Sequence, residues 1–107
     1  MLSYMKPIPA KENISRGEEL NILSGVSGAK EDMTLTVTVW GRISSAWKEL
    51  TTKEFVLTCG EHKHLYFTLK PEVFSADFWG EEIDEIELLV SQFKPSDSER
   101  GVIIFIE

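Results

Sequence analysis

His62 and His64 stand two residues apart in a run that alternates apolar and polar side chains up to Leu69. In an extended strand, positions i and i+2 share a face and lie about 7 Å apart, so the two imidazoles project together and Tyr66 continues their row. Paired histidines on one face are the beginning of a zinc, copper or iron site. Such a site needs at least a third protein ligand, and Glu61 and Glu72 are the nearest carboxylates in the sequence. A cupin-like metal barrel would place a glutamate shortly after the second histidine, where Leu65-Tyr66-Phe67-Thr68 supplies none. Two polar residues on the wet face of a half-buried strand is therefore the plainer reading. No metal or other cofactor is expected; if one is held, His62 and His64 hold it.

Cys59 precedes these histidines closely enough to suggest a thiol activated by an imidazole. It also alternates with Phe55 and Leu57, which favours a small, buried, apolar role. As the only cysteine it makes no disulfide within the chain. The acidic run Glu81, Glu82, Asp84, Glu85 and Glu87 has the charge for calcium, but Ile83 and Ile86 interrupt it and the ordered EF-hand loop is missing. A charged outer face on a strand explains it more simply. No Walker-type phosphate loop, dinucleotide fingerprint, Gly-x-Ser-x-Gly elbow or His-Glu-x-x-His is present, so no catalytic residue is assigned and a non-enzymatic role is expected. The residues best suited to a binding surface are Trp40, Trp47, Tyr66 and Trp79. Flat aromatic rings offer a large apolar area at low entropic cost to sugar faces, peptides and partner proteins.

The charge balance narrows the partners. Eleven Lys and Arg against eighteen Asp and Glu give a net charge of −7, which repels phosphate backbones and anionic lipid. Nucleic acid and membrane insertion are excluded as expectations; a protein partner, a second copy of the chain or a carbohydrate remain. The segment Met1 to Ala10 carries Lys6, Pro7 and Pro9 in place of an apolar run, so it resembles neither a secretion signal nor an anchor. The chain as given reads as cytoplasmic, or extracellular if it is an excised or mature domain.

The elements that would position these residues are strands. Met33 to Gly41 alternates Leu35, Val37 and Val39 with threonines and Trp40, which sets Trp40 on the outer face if those three are core. Gly41 is expected to end it. Glu18 to Val26, Glu54 to Cys59, Lys63 to Leu69 and Asp84 to Gln92 alternate likewise, and Trp47 to Leu50 reads as a short edge strand. The strands on either side of the Cys59-Gly60-Glu61 turn are either neighbours or the two arms of a corner between sheets. Val102 to Ile106 is continuously apolar and reads as covered on both faces. Pro71 closes one strand; Phe74 to Trp79 reads as one helical turn with Ser75 as its N-cap; Lys94 to Gly101 is an exposed loop joining neighbouring strands. Six or seven strands spaced by turns, in 107 residues, predict a single all-β domain: a two-layer antiparallel β-sandwich with an extended or flexible segment over residues 1–12.

Arg16-Gly17-Glu18-Glu19-Leu20-Asn21-Ile22, the strand Thr34 to Trp40, and Gly60-Glu61-His62-Lys63-His64-Leu65-Tyr66-Phe67-Thr68-Leu69 resemble the strands of bacterial immunoglobulin-like accessory domains. The antibody-type cysteine pair and tyrosine corner are absent. The resemblance implies an immunoglobulin-like sandwich serving as a spacer, adhesion or ligand-presenting module attached to a larger machine. The functional expectation is a non-catalytic module for protein–protein binding, or for self-association as a homodimer, through an aromatic or apolar sheet face or an edge strand. The alternative is a carbohydrate-binding or accessory domain of a polysaccharide-acting or cell-surface assembly. A small metal-dependent β-barrel enzyme built on His62 and His64 stands behind both.

Overall fold

A computed structural model describes residues 1–44 and 46–107. Two β-sheets face each other across one apolar interior, as the two-residue periodicity predicts. The order is β1 (Ser3–Tyr4), β2 (Ile8–Pro9), β3 (Asn13–Ile14), β4 (Leu20–Ser27), β5 (Met33–Arg42), β6 (Lys48–Leu57), β7 (Lys63–Leu69), a 3-10 turn (Pro71–Phe74), α1 (Ala76–Trp79), β8 (Glu85–Ser91) and β9 (Val102–Ile106). In the first sheet β4 pairs with β7 along one edge and with the short β1 and β2 along the other, all antiparallel. The second sheet runs β3-β9-β8-β5-β6 and is antiparallel except for the β3–β9 pair.

Alternation decides which side chains meet. Leu20, Ile22 and Val26 of β4 and Leu65, Phe67 and Leu69 of β7 face Leu35, Val37 and Val39 of β5, Ile86, Leu88 and Val90 of β8 and Ile104 and Ile106 of β9, all buried. Truncating any of the fully enclosed leucines or isoleucines to Ala would cost about 2–5 kcal/mol. Among the described residues the chain crosses between sheets five times, and two of these crossings lie on either side of β7. Thr58 to Glu61 turns β6 into β7, so this junction is a corner, and the 3-10 turn with α1 carries the chain from β7 to β8. Ser75 caps α1 by accepting from the Phe78 N–H at 3.2 Å, and Gly80 closes it in the left-handed conformation at φ 79°.

Several expectations need correction. The separate segments Trp47–Leu50 and Glu54–Cys59 are one strand, β6. A bulge opposite Val39 and Trp40 leaves Leu50 as an extra, unpaired residue in β6, so Leu50 enters the core on even numbering while Phe55 and Leu57 face it on odd numbering. The phase change is what disguised one strand as two. Gly41 does not end β5: the strand continues to Arg42, and a Cβ at Gly41 would lie 2.7 Å from Leu50 Cδ1 and 2.8 Å from Ile86 Cδ1. Glycine is there because the bulged leucine occupies the space. β9 is covered on one face only, since Ile103 and Phe105 are exposed while Ile104 and Ile106 are buried. Cys59 is exposed, because β6 stops at Leu57 and its alternation does not extend through the turn. Among the described residues there are nine strands, three of them only two residues long. Among the described residues no helix is long and apolar enough to cross a membrane.

Candidate functional site

The outer faces of the two sheets carry the side chains left over from the core, and they are finished in opposite ways. On the second sheet, Arg42 lies on the outer face at the end of β5, paired in register with Glu87 of β8. Its Nε donates to Glu87 Oε1 at 2.7 Å, Nη1 to the Asp97 carbonyl at 2.8 Å and Nη2 to the Glu99 carbonyl at 2.6 Å. Glu87 Oε2 in turn accepts the Gly101 N–H. The guanidinium lies 4.3 Å from the centre of the Trp47 ring, and the Trp47 indole N–H donates to the Ser96 carbonyl at 3.1 Å. Loop Lys94–Gly101 is thereby drawn across the sheet, leaving Arg42 only 6% and Trp47 only 3% exposed. Burial works to raise the Glu87 carboxyl, but the hydrogen bonds from Arg42 and the Gly101 N–H, with the charges of Arg42 and Arg100, together hold it below its ordinary 4.5. A Cβ on Gly101 would meet the Leu88 carbonyl oxygen at 2.1 Å, so the loop lands on the sheet only because that residue has no side chain.

Among the described residues no loop covers the outer face of the first sheet in this way. Ile8 of β2, Leu23 of β4 and Tyr66 of β7 are directly opposed in register and form an apolar row running across the strands. Tyr66 is 61% exposed. The next row on one side is Asn21 opposite Thr68, whose hydroxyl donates to Asn21 Oδ1 at 2.7 Å. The next row on the other side is Gly25 opposite His64, whose ring meets Tyr66 edge-on at 6.5 Å between centroids. Lys53 reaches over from the edge strand β6 and its Nζ donates to the Tyr66 carbonyl at 3.1 Å, closing part of the free edge of β7. Ile8, Leu23 and Tyr66, with Asn21, Thr68 and Lys53, line an open groove of about 590 Å³.

The four aromatic candidates do not form one surface. Trp40 lies on the outer face of the second sheet as its register requires, half-buried, with its indole N–H directed to the Ser91 carbonyl at 3.3 Å. Trp47 lies under the loop. Trp79, half-buried in the β7–β8 connection, donates to the Val73 carbonyl at 2.7 Å and packs edge-on against Phe78. Lys48 covers that pair, 4.0 Å from the Phe78 ring and 5.3 Å from the Trp79 ring. All three indoles are committed to backbone carbonyls, whereas Tyr66 presents its ring to solvent.

His62 and His64 are both exposed and border a small groove of about 290 Å³ beside Ser3 and Met5. Glu61 is tied back into the turn by the Thr58 N–H and hydroxyl, which hold its carboxyl below the ordinary range. Glu72 lies beyond the far end of β7. Among the described residues, no three His, Cys, Asp or Glu side chains gather as a metal site. The backbone N–H of Cys59 donates to Asp32 Oδ1 at 2.9 Å. Of the acidic run, Glu81, Glu82, Asp84 and Glu85 are exposed, while Glu87 belongs to the clamp. Arg16 engages this run, donating to the Ile83 carbonyl at 3.0 Å and pairing with Glu82 at 3.2 Å. Neither Arg42 nor the Ile8–Leu23–Tyr66 row is visible as a motif, since each is assembled only by register between strands distant in sequence.

No family model matches the sequence, and no curated protein matches it. Solved structures do. A β-glucosidase of Erythrobacter marinus superposes with a TM-score of 0.78 at 20% identity, covering 100% of this chain and 15% of that one. The β-glucosidase of Listeria innocua in complex with isofagomine gives 0.73 at 17% identity, covering 99% and 16%. The GH3 β-glucosidase of Bifidobacterium adolescentis gives 0.67 at 15% identity, covering 99% and 17%. This chain thus spans only about a sixth of the enzymes it resembles, and what it shares with them is the β-sandwich fold.

Proposed function

We propose that this chain is an accessory β-sandwich that works beside a glycoside-hydrolysing catalytic part, on the same polypeptide or in the same assembly, and itself supplies no catalytic group. The observation that carries this reading is one of coverage. Nearly the whole chain is accounted for by a region making up 15–17% of three bacterial β-glucosidases, with TM-scores of 0.67–0.78. The immunoglobulin-like resemblance of the Gly-Glu-led strands points the same way. So does the distribution of polar groups: Arg42, Glu87 and the indole N–H groups are engaged with the fold's own backbone and with each other, a structural arrangement and not one left open to a substrate.

Isolation of the protein from its native source tests this directly. Mass spectrometry is expected to find a glycoside hydrolase catalytic part joined to it or bound to it, and the purified 107-residue chain is expected to leave an aryl β-glucoside uncleaved. Recovery with an unrelated machine, or turnover by the chain alone, defeats the reading.

A second reading, a protein-binding or self-associating module, has its own observation in its favour. Ile103 and Phe105 project outward from β9, and β3 covers the outer edge of that strand only at Phe105 and Ile106. Exposed apolar residues beside an open edge favour strand addition or a partner's apolar surface. Sedimentation across a concentration series separates a dimer from a monomer.

A further inference from the structure

We infer that the groove over the Ile8–Leu23–Tyr66 row is a binding site for a neutral, β-linked gluco-oligosaccharide, laid across the strands with one sugar ring stacked on Tyr66; this rests on the accessory-domain reading. The row crosses three strands spaced by about 4.8 Å, so its length is about 10 Å, comparable to two consecutive sugar rings. A sugar presents C–H groups on its faces and hydroxyls around its edges. The matching surface is a flat apolar strip with hydrogen-bonding groups along its sides, and that is the order found here. The Tyr66 ring offers its electron-rich face to polarised C–H groups, and Ile8 and Leu23 continue the apolar floor.

The polar groups beside the strip have capacity to spare. Because Asn21 accepts from Thr68 through Oδ1, its amide N–H groups are directed elsewhere and the Thr68 oxygen keeps its lone pairs. Lys53, bonded once to the Tyr66 carbonyl, retains two further N–H donors. His64 steadies the Tyr66 ring through a perpendicular contact, 6.5 Å between centroids. The charge distribution is compatible with a neutral ligand. The chain carries −7 overall, yet the strand positions of this face, Ile8, Asn21, Leu23, Gly25, His64, Tyr66 and Thr68, include no carboxylate. Asn21 and Lys53 supply donors and Thr68 and Tyr66 oxygens supply acceptors, which suits sugar hydroxyls that both donate and accept. The groove volume, about 590 Å³, falls within the range of small-ligand sites.

The test is a titration of the isotopically labelled chain with laminaritetraose, followed by amide NMR. The expected result is a set of shifts confined to residues 8, 21–23, 53 and 64–68, with affinity falling by about tenfold or more in Tyr66→Ser and less in Asn21→Ala. Tyr66 is exposed, so the variant spectrum should otherwise match the parent and report an intact fold. Absence of shifts at millimolar sugar, shifts centred elsewhere, or undiminished binding by Tyr66→Ser would overturn the site. Those outcomes leave the accessory reading standing if a catalytic glycosidase part accompanies the native protein. Binding here without any such part would overturn that reading and keep the site.

Discussion

Two outer faces of one sandwich show how differently a fold can treat residues that its core excludes. The Arg42–Glu87–Trp47 face is roofed by its own loop, and each polar atom there has a partner within the chain. The Ile8–Leu23–Tyr66 face is bare and keeps unspoken-for donors along its sides. An arginine buried against a sheet is stable only when its charge and donors are fully met, so the first face is a commitment of the fold to itself. An exposed aromatic ring on a flat face contributes little to folding. The contrast teaches where to look for function: at the residues whose removal should leave the fold indifferent.

Substitutions can break this contrast or sharpen it. Arg42→Ala should have the largest effect, because it leaves the Glu87 carboxylate half-enclosed without its ion and frees the loop; a loss of about 3–5 kcal/mol is expected in denaturant unfolding. Trp47→Phe keeps the ring under the guanidinium but orphans the Ser96 carbonyl, and should cost about 1–3 kcal/mol by the same measurement. Acid should act on the clamp as well. Since the folded Glu87 carboxyl is held below its ordinary 4.5, its contribution is fully present above that value and is lost as pH falls through the lowered one. Unfolding curves between neutral and acid pH should therefore steepen in their decline below about pH 4.5, and Glu87→Gln should flatten that part of the profile. Smallest of all, Tyr66→Ser should change stability by no more than about 0.5 kcal/mol. A larger change there would mean that the bare face is structural, and the distinction between the two faces would fail.

Much of this architecture is legible in the sequence and its site is not, for a physical reason. Val37, Phe67 and Leu88 lie in alternating runs, and alternation alone forces them to one side of a strand, so their meeting in the core needs no further information. The helical turn after Ser75 is likewise written locally, in a cap and its spacing. Where a strand changes phase, as at Leu50, the same logic misreads one element as two. Arg42 and Glu87 lie 45 positions apart and meet only through register. Trp47, Trp40 and Trp79 look like a binding set from composition, yet the places their indole N–H groups go depend on loops whose paths no periodicity specifies. Tyr66 was visible as a candidate, but its neighbours Ile8 and Leu23 come from two other strands. Continuous apolarity in β9 suggested burial on both faces, although Ile103 and Phe105 face outward.

The pairing of β3 with β9 joins Asn13 and Ile14 to Phe105 and Ile106, almost the full span of the sequence. During synthesis, then, β3 must wait, although β1 and β2 before it find their partner in β4. Until the last residues of this region clear the ribosome, Ile14 has no ladder partner, the flank of β8 that β9 will occupy is uncovered, and the apolar interior is open along one side. Folding of the sandwich is thus an event that follows translation of the whole region instead of accompanying it, and the interval before closure is when an exposed β8 is most vulnerable to pairing with the wrong chain.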